Sequence, residues 1–197
     1  EYARATDPSD SLSVPVVAML EVDPVNGVDD GQSPFKTVRA ANIAAQAGDT
    51  IMLLPGDYVT GLIIFNSPVN LKGPSGQGAV LQPTFLESKT PGTVVISDLA
   101  VTTAGLQITG QALRFERVAF NANIDVNAGS SVGFVNSVFA NASGDALNVL
   151  GDASVVLENS TLTANDVGIR AGATGSVRII NSIISGNTTA DLVGVPL

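Results

Sequence analysis

Four side chains that could contact a ligand recur at one position of a short strand-like pattern. Each stands between two apolar residues, as Gln107 does between Leu106 and Ile108. The four are Gln107, Asp125, Asn148 and Arg170. Because side chains alternate between the two faces of a strand, the apolar neighbours point into a core and these four point outward. Such a column could hydrogen-bond sugar hydroxyls or a uronate, although it is also typical of a solvated sheet face.

A second group of oxygen-bearing side chains lies in one loop near the N-terminus. Asp23, Asn26, Asp29 and Asp30 fall within eight residues. Calcium prefers carboxylate and amide oxygens, so this loop predicts a calcium site. The spacing matches no EF-hand pattern, and loops of Asp, Asn and Gly also form ordinary turns. Calcium is thus a possible ligand, and no other cofactor is predicted.

Residues suited to hydrolytic catalysis are few. The chain contains no His and no Cys, which excludes His-dependent catalysis and thiolate chemistry. Glycoside hydrolysis by paired carboxylates needs two acids that face the scissile bond. The outward faces offer Asp125 and Asp145, with no second acid stacked on either. We therefore predict no catalytic residue.

These side chains belong to a repeat that organises most of the chain. Blocks of alternating apolar residues around a polar centre recur, most clearly at residues 132–139, 155–162 and 177–184. The central residues are Asp98, Arg117, Asn136, Asn159 and Asn181, at spacings of 19, 19, 23 and 22 residues. A repeat of about 20 residues built from short strands is typical of a solenoid. Three short strands per coil predict an all-β fold: a single-stranded right-handed parallel β-helix of about seven coils.

Asparagine is expected to form ladders at the corners of these coils. Asn tolerates the left-handed conformation that a sharp bend requires and can hydrogen-bond locally. The first predicted ladder contains Asn136, Asn159 and Asn181. The second contains Asn123, Asn165 and Asn187, with Ala142 in one coil.

The remaining organisation is simple. Residues 1–13 are polar and unpatterned and are predicted to be a tail or linker, and residues 14–197 form the β-helix domain, with a first strand at 14–22. Residues 33–48 are predicted to be a capping helix that begins with Ser33 as N-cap and Pro34 at the first helical position. Phe35, Val38, Ala41 and Ala45 would share its buried face.

Composition narrows the range of partners. The formal net charge of −9, from 18 acidic and 9 basic residues, argues against nucleic acid or an anionic membrane as partner. No apolar run approaches the about 20 residues of a membrane span. The absence of Cys and Trp, with coils rich in Ser, Thr and Asn, favours a secreted or cell-surface protein.

Several motifs resemble the pectin-lyase-like right-handed parallel β-helix superfamily, and specifically its bacterial extracellular members with a short helix cap. The residues that carry the resemblance are 34–38, 48–51, 55–58 and 69–73, and it extends from about residue 22 to the end. That superfamily includes lyases, hydrolases, esterases, adhesins and phage tail proteins, so the resemblance implies the fold rather than an activity. It implies a substrate groove on the outer face of the third strand. In a lyase of this kind Lys72 or Arg170 would be the base, with calcium bound to the uronate.

The C-terminal coil is expected to lack a cap, because residues 188–197 contain Leu192, Val193, Val195 and Leu197 and no helical pattern. Either the chain is a fragment of a longer protein, or this end binds a partner or a second copy. The function expected is non-enzymatic: an extracellular or cell-surface β-helix with a structural, adhesive or assembly role and weak glycan contact. The alternative is a carbohydrate-active enzyme of the polysaccharide lyase type on acidic polysaccharide, or its recognition module.

Overall fold

The computed structural model describes residues 17–76 and 78–195, and the strands it contains are short and numerous. In chain order the elements are β1 (Met19–Val22), α1 (Val38–Ala44), β2 (Thr50–Leu53), β3 (Gly56–Phe65), β4 (Asn70–Lys72), β5 (Ala79–Ser88), β6 (Val94–Ser97), β7 (Ala100–Gly110), β8 (Leu113–Glu116), β9 (Ala119–Val126), β10 (Ser131–Val135), β11 (Val138–Ala140), β12 (Asp145–Val149), β13 (Ser154–Glu158), β14 (Thr161–Thr163), β15 (Val167–Ala171), β16 (Ser176–Ile180), β17 (Ile183–Ile184) and β18 (Ala190–Val193). The predicted tail at residues 1–13 and the start of the predicted first strand lie outside the described residues.

All strand pairs are parallel and connect one coil to the next, so the fold is a β-solenoid as predicted. The first sheet has eight strands in the order β1-β2-β4-β6-β8-β10-β13-β16, and the second sheet contains the other ten. Seven strands of the first sheet, from β2 to β16, lie one above another, and about six complete turns of the solenoid connect them. Adjacent coils therefore stack at about 4.8 Å, the separation of neighbouring strands in a sheet.

The prediction of three strands per coil holds only for the last three coils. There the second sheet is divided by a corner at which Asn141, Ala164 and Gly186 have φ of 62°, 57° and 74°. In the earlier coils the chain continues as one long strand, as in the eight-residue β9, and β3, β5 and β7 contain irregular register instead of a corner. The last three coils thus have a corner between the second and third strand positions, and the earlier coils have a continuous strand there.

The capping helix is shorter than predicted and begins later. It spans Val38–Ala44, and Thr37 is its N-cap, with a side chain that accepts a hydrogen bond from the Ala40 N–H. The predicted start at Ser33 and Pro34 is wrong because Phe35 forms a parallel bridge with Val22, which keeps this segment extended.

The buried face of the helix was predicted in part. Val38 and Ala41 are buried in the helix, and Ala45 is buried as its C-cap. Phe35 is also buried, but it belongs to the bridge rather than to the helix. The helix contacts β1, β2 and β3, so it covers the first coil.

The core is a continuous column of Val, Ile, Leu and Phe side chains between the two sheets. At its centre Phe115 stacks on Phe134, with ring centroids 5.1 Å apart, and Phe120 stacks on Phe139, with centroids 4.7 Å apart. The two stacks meet edge to face. Such offset and edge contacts are favourable in addition to the burial of apolar surface.

The bend after the first strand of each coil adopts the left-handed conformation that the repeat predicted. The φ values of the bend residues Asp98, Arg117, Asn136, Asn159 and Asn181 lie between 47° and 59°. Their backbone N–H groups bond to the next coil, as in Asn136 N–H to Glu158 O at 3.0 Å. The side-chain ladder lies one residue later: the Ser160 hydroxyl accepts from Ser137 N–H at 3.2 Å, and the Ser182 hydroxyl accepts from Ser160 N–H at 3.1 Å. Serine, rather than asparagine, therefore makes the side-chain bonds between the later coils at this corner, whereas Arg117 bonds Asp98 between two earlier coils.

At the second corner the asparagine ladder contains two of the three predicted members. Asn165 is buried and donates to Asn187 Oδ1 at 3.0 Å and to Phe139 O at 3.1 Å. Its own Oδ1 accepts from Ala142 N–H at 3.0 Å. Asn123 lies outside this ladder because β9 runs through without a corner, and its Oδ1 accepts from Gly144 N–H at 2.9 Å.

The last coil is less well covered than the others within the described residues. Val177, Ile179, Ile184, Leu192 and Val195 are only partly buried against the core. Pro196 and Leu197 lie outside the described residues. Self-association through residues 192–197 stays a prediction.

Candidate functional site

The outward column predicted from the repeat is present on the third strand of successive coils. Gln107 pairs in register with Asp125, Asp125 with Asn148, and Asn148 with Arg170. Neighbours along this column are thus one strand separation apart, about 4.8 Å. We refer to Gln107, Asp125, Asn148 and Arg170 as the outer column.

Three members of the outer column are held by hydrogen bonds and one is not. Asn148 Nδ2 donates to Asp125 Oδ1 at 3.0 Å. Arg170 turns aside to Asp145 and donates from Nε to Oδ2 at 2.6 Å and from Nη2 to Oδ1 at 3.2 Å. Gln107 is exposed and makes no side-chain hydrogen bond to any described residue. It is the member with its full bonding capacity available to a ligand.

The ion pair with Asp145 determines the chemistry of Arg170. Hydrogen bonds from the guanidinium to this carboxylate, followed by the attraction of the opposite charges, raise the pKa of Arg170 above its ordinary value. A guanidinium with a raised pKa keeps its proton more firmly, which makes Arg170 a poorer base. The side chain can therefore bind and orient a ligand more readily than it can abstract a proton.

Phe85 extends the outer column and was missed at the sequence level. It pairs in register with Gln107, and its neighbour Leu86 is fully buried. Alternation along β5 therefore directs Phe85 outward. The aromatic ring stands beside the unbonded amide of Gln107. The sequence did not show this, because the register of β5 is irregular between Leu81 and Phe85.

A polar hollow of about 280 Å³ adjoins the outer column. Its polar lining comes from hydroxyl and amide side chains: Thr102, Thr103, Asn121, Asn123, Asn141 and Ser143. Asn123 precedes Asp125 by two residues in β9, so the hollow and the outer column lie side by side on one surface. No charged side chain lines the hollow, which suits neutral hydroxyl-bearing ligands.

The four residues predicted to bind calcium are used as turn-forming residues. The Asp23 carboxylate accepts from Val25 N–H at 2.8 Å and from Asn26 N–H at 3.0 Å and Nδ2 at 3.0 Å. These bonds, led by the Asn26 backbone N–H, lower the pKa of Asp23. Asp30 accepts from Gln32 N–H at 3.0 Å.

Asp29 has a similar local role. Its carboxylate accepts from the N–H groups of Lys36 and Thr37 at 2.9 and 3.0 Å and from the Thr37 hydroxyl at 2.8 Å. Partial burial raises the pKa of Asp29, but these hydrogen bonds outweigh it and the net shift is downward. Within residues 17–76 and 78–195, no three His, Cys, Asp or Glu side chains form a group that could hold a metal ion.

The two residues proposed as a lyase base lie on different sheets. Lys72 is in β4 of the first sheet, whereas Arg170 is in β15 of the second. The structure therefore does not bring these two bases together. Only Arg170 belongs to the outer column.

Comparisons with known proteins leave the family open. No family model, no curated protein and no solved structure matches the chain. No helix in the described part of the chain is long and apolar enough to cross a membrane.

Proposed function

We propose that this chain is a non-enzymatic β-helix of the pectin-lyase-like superfamily, located outside the cell or at its surface. It has a structural or adhesive role and contacts a neutral glycan through the outer column. The observation that carries the proposal is the continuation of Phe85 in register into Gln107, Asp125, Asn148 and Arg170. An aromatic ring beside a row of hydrogen-bonding side chains is suited to a sugar, which has both apolar C–H faces and hydroxyl edges.

The dimensions of the column favour an oligosaccharide over a single sugar. Four steps separate Phe85 from Arg170, which gives about 19 Å at about 4.8 Å per step. Phe85 offers a surface for stacking, and Gln107 offers a free amide. The Asp125 carboxylate, held by Asn148, can accept hydrogen bonds from hydroxyls. Gln107 is exposed and the other contacts are partly exposed, so we expect weak binding that gains from several sugar units in sequence.

The charges on this surface favour a neutral glycan over an acidic one. Arg170 is paired with Asp145, and Glu87 is paired with Lys89 at 3.4 Å. Asp125 is the carboxylate of the outer column itself, and it accepts from an amide rather than from a cation. A uronate bound beside Asp125 would meet a like charge, which disfavours acidic polysaccharide. The chain as a whole is also acidic, with a formal net charge of −9.

A non-enzymatic role is favoured by the state of the ionisable groups. The pKa of Arg170 is raised by Asp145, which opposes its use as a base. Asp125 and Asp145 are each engaged with a different partner, Asn148 and Arg170. Paired carboxylate catalysis requires one acid and one base that share a substrate bond, and these two carboxylates belong to separate pairs.

Affinity electrophoresis tests the proposal. The protein is run through gels that contain a neutral β-glucan, a neutral mannan or polygalacturonate, beside an absorbance assay for unsaturated products with calcium. We expect retardation by a neutral glycan and a loss of about 5- to 10-fold in affinity for Phe85→Ala, equivalent to ~1–1.4 kcal/mol. Gln107→Ala should weaken binding less.

Arg178→Ala, on the first sheet, is the matched control and should bind as the parent protein does. Retardation that is unchanged in Phe85→Ala and Gln107→Ala would remove the outer column from the binding surface. Release of unsaturated products from polygalacturonate would replace the proposal with the lyase alternative. No retardation by any neutral glycan would refute glycan contact.

A further inference from the structure

The cap end of the solenoid has an open groove that the glycan proposal does not use. Two adjoining hollows of about 440 Å³ and 380 Å³ lie between α1 and β3 and share Arg39, Thr60, Leu62 and Ile63. Three exposed apolar side chains flank them: Ile43, Val59 and Leu62, which are 75%, 82% and 51% exposed. We refer to this feature as the cap groove. Apolar side chains this exposed, and clustered around a groove, mark interaction sites in soluble proteins.

The wall of the cap groove is a strand whose second edge pairs with no described strand and is covered in part by α1. Of the described strands, β3 pairs only with β5. Phe65 O accepts from Lys89 N–H on the β5 side at 2.9 Å, whereas Ile64 O accepts from Asn42 Nδ2 of the helix at 2.7 Å. Because successive residues direct their backbone groups to opposite edges, the Leu62 N–H and C=O face the groove as Ile64 O does. An exposed edge of this kind is a template for an added strand.

Two polar groups in the cap groove lack partners. Arg39 makes no ion pair or hydrogen bond to any described residue. The Thr60 Oγ1 atom is buried and has no hydrogen-bond partner within the described chain. A ligand or a water in the open groove can supply the partner that this hydroxyl lacks. Both groups are common to the two hollows.

The charge distribution fixes the polarity of the occupant. The larger hollow is lined by Asp29 and Asp57 together with Lys36 and Arg39, whereas Arg39 is the one charged residue among those that line the hollow with Asn42 and Asn66. An acidic group would therefore be favoured at the end lined by Asn42 and Asn66, where Arg39 has no carboxylate beside it.

We infer that the cap groove binds an extended, β-branched segment of a partner protein, which adds as a strand to the second edge of β3. An acidic residue of the segment pairs with Arg39. Backbone hydrogen bonds to Leu62 supply general affinity, and the apolar flanks at Val59, Leu62 and Ile43 take alternate side chains of the segment, as in strand addition to other sheet edges. This inference uses a different surface from the outer column and does not depend on it.

The capped peptides Ac-TVEVTV-NH2 and Ac-TVKVTV-NH2 test the inference by NMR with 15N-labelled full-length chain. We expect amide shifts confined to β3 and α1, slower hydrogen exchange of the Leu62 amide, and about 3- to 10-fold tighter binding of the Glu peptide. Arg39→Glu should reverse the order of the two peptides. Arg178→Glu, an equal change of charge on the first sheet, should preserve it.

Three results would overturn the inference. The first is the absence of shifts at millimolar peptide, or shifts outside β3 and α1. The second is a Glu preference that survives Arg39→Glu, because the acidic residue would then not pair with Arg39. The third is protection of the Leu62 amide that rises with protein concentration in the absence of peptide, which would make a second copy of the chain the occupant. The spectrum of Arg39→Glu serves as the folding control, since Arg39 is exposed.

Discussion

Replacing Asn165 by alanine tests whether the buried asparagine ladder holds the coils together. Asn165 is 1% exposed. Its amide satisfies Ala142 N–H, Phe139 O and Asn187 Oδ1 at 3.0, 3.1 and 3.0 Å. Alanine removes all three bonds and provides no replacement. The perturbation therefore removes a side-chain partner from polar groups in three neighbouring segments.

The size of the stability loss depends on which of these polar groups can bond to water after the substitution. A buried donor or acceptor left without a partner costs about 1–3 kcal/mol. Ala142 is 7% exposed and Phe139 is 1% exposed, so their backbone groups bear the full cost. Asn187 is partly exposed, and its Oδ1 still accepts from the backbone N–H of residue 165 at 3.1 Å, so it bears little of the cost. We expect Asn165→Ala to lower the free energy of unfolding by about 3 kcal/mol.

Urea unfolding monitored by circular dichroism measures this change through the midpoint and the m-value. Asn148→Ala is the matched control, because it removes a single amide bond, to Asp125, at a partly exposed position. Its cost should be about 1 kcal/mol or less. If the two variants lose stability equally at an unchanged m-value, the ladder contributes no more than a surface hydrogen bond and the reasoning is refuted. A smaller m-value for Asn165→Ala would instead show that the coils no longer unfold together.

Three further predictions concern the core, the first corner and the second corner. Phe134→Ala should cost about 3–5 kcal/mol, because its ring contacts three other Phe rings; a loss below about 1 kcal/mol in urea unfolding would contradict this. Hydrogen bonds from Arg117 lower the pKa of Asp98 below 3.8. This pair therefore stabilises the fold above pH 3.8, and its contribution is lost as the pH falls through the pKa of Asp98 in the folded protein. Asp98→Asn should therefore flatten the acid limb of stability against pH, and an unchanged limb would argue against it. Ala164 is exposed and has φ of 57°. Because Asn tolerates this conformation better, Ala164→Asn should raise the free energy of unfolding by about 0.5–1 kcal/mol. A lower thermal midpoint for this variant would count against the strain argument.

Local chemistry explains why the repeat could be predicted from sequence. The alternation of apolar residues fixes which side chains enter the core, and a bend residue such as Asn136 or Asn159 fixes where the strand turns. Both signals are contained in a few adjacent residues. The spacing of 19–23 residues between bends then determined the register, which is why Gln107, Asp125 and Asn148 were aligned correctly.

Longer-range pairing explains what could not be predicted. Ser33 and Pro34 are typical of a helix start, but the bridge of Phe35 to Val22 takes precedence, and this contact joins residues 13 positions apart. Arg170 bonds Asp145, which lies 25 residues earlier in the chain. The predicted outer column placed Asn148, and not Asp145, next to Arg170. The irregular register of β5 likewise concealed the position of Phe85. The absence of a corner in β9 likewise concealed that Asn123 lies outside the ladder.

The coils provide an internal comparison that separates structural polar residues from candidate ligand contacts. A ladder that repeats one side-chain bond from coil to coil is built from one recurring residue type, as Ser137, Ser160 and Ser182 show. The outer column is equally regular in register, yet its residue type changes in every coil from Phe85 to Arg170. A repeated ladder would not have this composition. A solvated sheet face, or a ligand that lies along the column and offers a different group to each coil, would each allow it. The change of residue type therefore separates the outer column from the two corner ladders, and the binding of Phe85→Ala and Gln107→Ala decides whether this surface contacts a glycan.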